Sequence, residues 1–148
     1  MQTNANNNML LDNWLTLTNL QERINNKLDS ALQEQCSLSL KEFYVLYFLS
    51  QTSEKKLRLQ QLQEMVGLSQ SAISRLVARM EAKNCGALER YVCEDDRRGV
   101  YTRMTEYGEE KLRKAMATYN EILQGAFLND GLRRELKLLI EKFELEKS

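Results

Sequence analysis

Residues 57–108 read LRLQQLQEMVGLSQSAISRLVARMEAKNCGALERYVCEDDRRGVYTRMTEYG, and this stretch decides the fold. A short helical pattern, Leu59 to Val66, stops at Gly67 and restarts after Ser69. In the second run Ile73, Leu76, Val77 and Met80 recur at helical spacing and form one apolar stripe. At about 100° per residue the opposite side collects Ser71, Ser74, Arg75, Ala78 and Arg79. Gly67 permits the sharp turn between the two helices, and Ser69 can cap the second through its hydroxyl. Two strand-like segments follow, Leu88 to Cys93 and Val100 to Met104, around the charged tip Glu94 to Gly99. Helix, turn, helix and charged hairpin predict a winged helix-turn-helix over 57–104.

The two charged elements carry the chemistry. The second helix starts small and polar, which allows close approach to a surface, and its arginines can reach phosphates or guanine edges. At the hairpin tip Asp96 can hold one guanidinium and leave the other free, so Arg97 and Arg98 sit beside a built-in orienting group. A guanidinium aimed in this way suits a narrow, electronegative minor groove. Each feature alone is compatible with an amphipathic surface helix or a solvated turn. Their conjunction favours duplex recognition.

The segments Leu76-Val77-Ala78-Arg79-Met80-Glu81, Leu88-Glu89-Arg90, Asp96-Arg97-Arg98 and Met104-Thr105-Glu106-Tyr107-Gly108 resemble the MarR (multiple antibiotic resistance regulator) family in order and spacing. The match covers the central third of the chain. It departs at Ala82 to Ala87, about two residues longer than the usual turn. The resemblance implies a homodimeric, sequence-specific DNA-binding transcriptional regulator, a repressor relieved by a small-molecule ligand. On the positions here, Ser69, Gln70, Ser71, Ser74 and Arg75 would meet bases and nearby phosphates. Arg79 would hold backbone, Arg98 aimed by Asp96 would enter the minor groove, and Arg97 would contact phosphate or brace the wing. It also implies a pocket for a small aromatic effector, with Tyr44 and Tyr47 as its candidate lining.

The flanks fit this reading in kind. Residues 1–8 are polar and expected to fray; a helix is expected over 9–34, with Leu10, Trp14, Leu17, Ile24, Leu28 and Ala31 spaced for a narrow apolar stripe and Trp14 as a core or interface anchor. Ser39 is a candidate cap for a buried helix over 40–50, and residues 57–59 a candidate third strand. Thr105 can cap a long helix, with Glu106, Glu109 and Glu110 favourably placed in its first turn. Gly125 is a possible interruption, Asn129 to Gly131 a break, and Leu132, Leu136, Leu139, Ile140 and Phe143 mark a last helix. The expected class is mainly α with a small β wing, one domain of 148 residues. The terminal helices, 9–34 and 105–146, would pair two copies, because their apolar faces exceed what a monomer can expose. A two-fold dimer would set two recognition helices about 34–36 Å apart on a pseudo-palindromic operator.

Composition narrows the alternatives. Formal net charge is zero, so a DNA binder must concentrate its cations locally. Between Ser69 and Arg103, seven basic residues stand against five acidic ones, a thin excess. There is no histidine, and Cys36, Cys85 and Cys93 lack metal-type spacing, so no metal, no cofactor and no imidazole-dependent catalysis is expected. An odd cysteine count without a leader or a long apolar run points to the cytoplasm and away from membranes. Two other functions share this fold: an oxidation-sensing regulator working through one of those cysteines, and a winged-helix protein-interaction module that does not bind DNA.

Overall fold

The computed structural model describes residues 2–82, 85–92 and 100–146. The elements run α1 (Gln2–Cys36), α2 (Leu40–Ser50), β1 (Lys56–Arg58), α3 (Leu59–Val66), α4 (Gln70–Glu81), β2 (Leu88–Val92), β3 (Val100–Met104), α5 (Glu106–Ala126) and α6 (Asp130–Glu146). The fold is mainly helical with a three-stranded antiparallel wing, ordered β1-β3-β2. Two compact units emerge: residues 29–118, and the N-terminal stretch through Leu28 together with the chain from Tyr119 onward.

In the 29–118 unit the junctions are set by side chains. Ser39 and Glu42 form a reciprocal capping box at the start of α2: the Glu42 amide donates to Ser39 Oγ (3.1 Å) and the Ser39 amide to Glu42 Oε1 (2.9 Å). Asp29 adds a third cap from α1, its Oδ1 accepting from the Leu40 amide at 2.8 Å. Leu38, Phe43, Val45, Leu46, Leu49, Leu62 and Ile73 are almost fully buried, which makes α2 the hub of the core. The sheet alternates as its pleat requires: Leu57, Leu88, Thr102 and Met104 are buried, whereas their neighbours along each strand face outward.

The passage from wing to α5 explains the T-x-x-G signature. Thr105 Oγ1 donates to the Gly86 carbonyl (2.6 Å) and accepts from the Gly108 amide (3.1 Å), so one hydroxyl both caps α5 and holds the loop that follows α4. Gly108 lies hard against that loop. A Cβ there would run into the Ala87 carbonyl oxygen and stand 2.8 Å from Met104 Cγ. Gly108→Ala is therefore expected to destabilise the fold by about 1–3 kcal/mol, despite the better helix propensity of alanine; urea unfolding would measure it.

Several boundaries differ from the sequence reading. α1 starts at Gln2 instead of Met9 and ends at Cys36, because no glycine or proline interrupts the asparagine-rich start. It closes at left-handed Ser37 (φ 54°), where the Leu38 amide reaches back to the Leu32 carbonyl at 3.3 Å. The first strand is Lys56–Arg58, since Leu59 already begins α3. Gly125 does not break α5, which continues to Ala126. Cys93 and the hairpin tip through Gly99 lie outside the described residues.

The other unit is unlike a finished core. Leu10, Trp14 and Leu17 of α1 are 45–70% exposed, and so are Leu132, Leu139, Ile140 and Phe143 of α6. Trp14 is thus no core residue within one chain. The exposed apolar residues of α1 also include Met9, Leu11, Leu15 and Leu20, a wider arc than the narrow stripe expected.

Candidate nucleic-acid interface

The local sequence dictates the geometry of α4. Gly67 is left-handed (φ 75°), and its amide and that of Leu68 both return to the Gln63 carbonyl, at 3.0 and 3.2 Å, which ends α3. Ser69 is extended, and its Oγ accepts from the Ala72 amide at 3.2 Å, which starts α4 after a three-residue turn. Burying Ile73, Leu76, Val77 and Met80 then fixes the helix's rotation about its own axis. As a result Ser69, Gln70, Ser71, Ser74, Arg75 and Arg79 are all solvent-exposed on the remaining side. All six site residues expected in and before this helix are brought together. Asp96, Arg97 and Arg98 lie outside the described residues.

The exposed side is polar and cationic. Arg75 Nε donates to the Ser71 carbonyl at 3.3 Å, which aligns its guanidinium along the helix. Among the described residues neither Arg75 nor Arg79 has a carboxylate at ion-pair distance. Both border a cleft of about 350 Å³ with Lys41, Ser39, Leu68, Ala72 and Leu76, whose lining carries three cations and no acid. Sequence reasoning missed Lys41. The signal was present: a lysine in a helix's first turn opposes the helix dipole and needs compensation. Here its Nζ donates to the Val66 carbonyl at 3.2 Å, at the C-terminal end of α3, where a cation is favoured.

On its other flank α4 is tied to the wing. Arg90 of β2 meets both oxygens of Glu81, at 3.0 and 3.2 Å, and a second cavity of about 290 Å³ is lined by Leu59, Ser74, Val77, Arg90, Val100 and Thr102. The candidate effector residues Tyr44 and Tyr47 are half-buried on α2; Tyr47 stacks on Phe43 (6.5 Å between centroids, 20°) and Tyr44 leans on Phe48 (6.4 Å). They line neither of the clefts beside α4. Cys36 and Cys85 are half-buried free thiols, and Cys36 Sγ lies 3.9 Å from Thr118 Oγ1. Among the described residues no cluster of acidic residues and cysteines could hold a metal, and no helix is long and apolar enough to cross a membrane.

The sequence model of a family described as "Transcriptional regulator SarA/Rot" matches residues 27–115, well over half of the chain and all of α2 through β3. The chain belongs to the SarA/Rot family. This is a family of transcriptional regulators, not of enzymes. No curated protein sequence matches it significantly. Among solved structures, AbsC, a MarR family transcriptional regulator from Streptomyces coelicolor, is 24% identical, covering 92% of each chain with a TM-score of 0.79. Sco3205, a MarR family regulator from the same organism solved in complex with DNA, is 23% identical over 88% of this chain and 82% of its own (TM-score 0.78). CouR from Rhodococcus jostii RHA1, solved bound to p-coumaroyl-CoA, is 20% identical over 89% of this chain and 91% of its own (TM-score 0.76). The SarA/Rot chain thus has a MarR-like fold, as its motifs suggested.

Proposed function

We propose that this SarA/Rot-family regulator is a homodimeric, sequence-specific DNA-binding repressor that a small ligand relieves. The observation that carries the reading is the exposed side of α4: six polar or cationic residues in one array, two of them arginines without an acidic partner among the described residues. Ser69, Gln70, Ser71, Ser74 and Arg75 meet base edges and nearby phosphates, and Arg79 holds backbone. Lys41 joins Arg79 as a phosphate contact. Asp96, Arg97 and Arg98 supply the minor-groove half of the contact. The shared fold with Sco3205, solved on DNA, supports this assignment.

Dimerisation rests on the apolar surface of the terminal helices, 9–34 and 105–146. An exposed tryptophan with four or more leucines on α1, and the apolar side of α6, form a surface that water-facing monomers rarely carry. Pairing two copies covers it and gives two reading helices for a pseudo-palindromic site. Relief by a small aromatic ligand is assigned to the half-buried Tyr44 and Tyr47, in keeping with the ligand-bound state of CouR.

Fluorescence anisotropy on duplex DNA from the gene's own upstream region, across a salt series, tests the proposal. A sequence-preferring complex whose log K falls steeply with log salt is the expected result. Uniformly weak binding at every salt would instead leave a winged-helix protein-interaction module.

A further inference from the structure

The chain carries one tryptophan, and it lies on the surface. Trp14 of α1 is 61% exposed, so much of the roughly 150–250 Å² that an aromatic side chain can bury is left in water. Its surroundings on α1 are almost uncharged: between Met9 and Gln21 the sole charged residue is Asp12. Aromatic enrichment with depletion of charge is the composition of an interface core. Seven large apolar side chains of α1 and seven of α6 are 43–74% exposed, half or more of the roughly 20–30 residues a side that a stable interface uses. Among the described residues α1 and α6 share no extensive contact within one chain, so neither covers the other. Between α5 and α6 lies a complementary feature. Leu123, Phe127 and Leu136, with Asn120, Gln124 and Arg133, line a largely apolar cleft of about 250 Å³. That is below the roughly 300–1,000 Å³ of small-ligand pockets and suits one large side chain. Arg133 Nε donates to the Phe127 carbonyl at 2.7 Å, and its Nη1 stands 3.9 Å from Asp130, which together fix the guanidinium plane beside the cleft.

We propose that the occupant of this cleft is Trp14 of a second copy of the chain. The indole ring lies against Leu123, Phe127 and Leu136, and its N–H donates to the side-chain carbonyl of Asn120 or Gln124. Arg133 spends its Nε–H in the plane of the guanidinium, on the Phe127 carbonyl, which leaves the flat face for the indole. Knob and cleft belong to the same sequence, so a two-fold pair makes the contact twice. The cleft is not filled from its own chain, since Trp14 stays exposed there and α1 does not pack on α6. This inference rests on the homodimer proposed above and adds its anchor; a dimer that leaves Trp14 in water would remove the anchor and keep the dimer.

The test uses the full-length protein, whose single tryptophan reports on the contact directly. Sedimentation equilibrium gives the monomer–dimer constant, and tryptophan emission with acrylamide quenching is read across the same concentrations. In the dimer the emission should move to shorter wavelength and quenching should weaken, and dilution to monomer should reverse both. Trp14→Ala should raise the dimer Kd roughly a hundredfold or more, since each pair loses two anchors. Trp14→Phe should lose less, because a ring remains. Leu136→Arg, at a half-exposed cleft position, should block the cleft and weaken the dimer likewise. Mixing the two supplies the decisive arm. A Trp14→Ala chain keeps its cleft and a Leu136→Arg chain keeps its tryptophan, so together they should form a mixed dimer with one intact contact, tighter than either variant with itself. A dimer in which Trp14 stays as quenchable as in the monomer, or a mixed pair no tighter than its parents, would overturn the anchor alone. A monomer at every concentration would overturn the homodimer with it.

Discussion

Replacing Arg75 and Arg79 together with alanine should lower affinity for a cognate duplex roughly a hundredfold or more, because each arginine–base or arginine–phosphate contact contributes on the order of 1–3 kcal/mol. The two single variants should differ in kind. Arg75→Ala, near the start of α4, should relax sequence preference and leave the salt slope little changed. Arg79→Ala, one turn further along, should weaken all duplexes alike and flatten the slope of log K against log salt by about one unit. The prediction follows from the geometry of the helix: burial of Ile73, Leu76, Val77 and Met80 leaves α4 one rotation, and both guanidinium groups lie on the exposed side without an acidic partner among the described residues. Identical salt slopes for both variants would show that the two arginines share one role. Neither substitution touches the core, so circular dichroism and the unfolding midpoint should stay put.

Phe43→Ala should cost about 3–5 kcal/mol, the largest single loss expected in the core and a large share of a typical domain's roughly 5–15 kcal/mol. Phe43 is 1% exposed and lies 5.8 Å from Tyr44 and 6.5 Å from Tyr47, ring centre to ring centre. Its removal leaves a cavity under α2, which packs against α3, β1 and β3. Glu64→Ala is the control: Glu64 is exposed on α3, and its truncation should move stability within about half a kcal/mol. Urea unfolding at one fixed protein concentration would measure both, with the midpoint shifting and the slope conserved.

The reading helix was legible from residues 67–80 alone because everything that shapes it is local. Gly67, Ser69 and the apolar stripe act within one or two turns of chain, and the same holds for Ser39 with Glu42 and for Thr105. What escaped the sequence depends on partners far along it. Lys41 belongs to the cationic cleft because the C-terminal end of α3 captures its ammonium, and Asp29 caps a helix eleven residues later. The outer face of the wing needs the register of three strands, one of them contributed by residues 56–58, before Lys56, Tyr91 and Tyr101 are seen as neighbours. Helix ends were displaced for a related reason. Polar residues 2–8 carry no breaker, so helix propagation through them is opposed by nothing but weak propensity.

Acid should affect this unit little near neutrality. The chain has no histidine, and Glu54 is held below the ordinary carboxylate range by a hydrogen bond from Lys56 and by its charge. Its contribution is present at neutral pH and fades only as pH falls through that lowered value.

The junction around Thr105 has a mechanical consequence. The Ala87 amide reaches the Met80 carbonyl at 3.0 Å, the Thr105 amide reaches the Ala87 carbonyl at 3.0 Å, and the Thr105 hydroxyl holds Gly86. Three bonds thus clamp the end of α4, the start of β2 and the start of α5 to one another. Slow hydrogen exchange should mark these amides as among the last to open. Helix and strands then tilt as one lever, so their relative alignment is settled when the chain folds. Little orientational freedom is left for the two elements to lose when they dock.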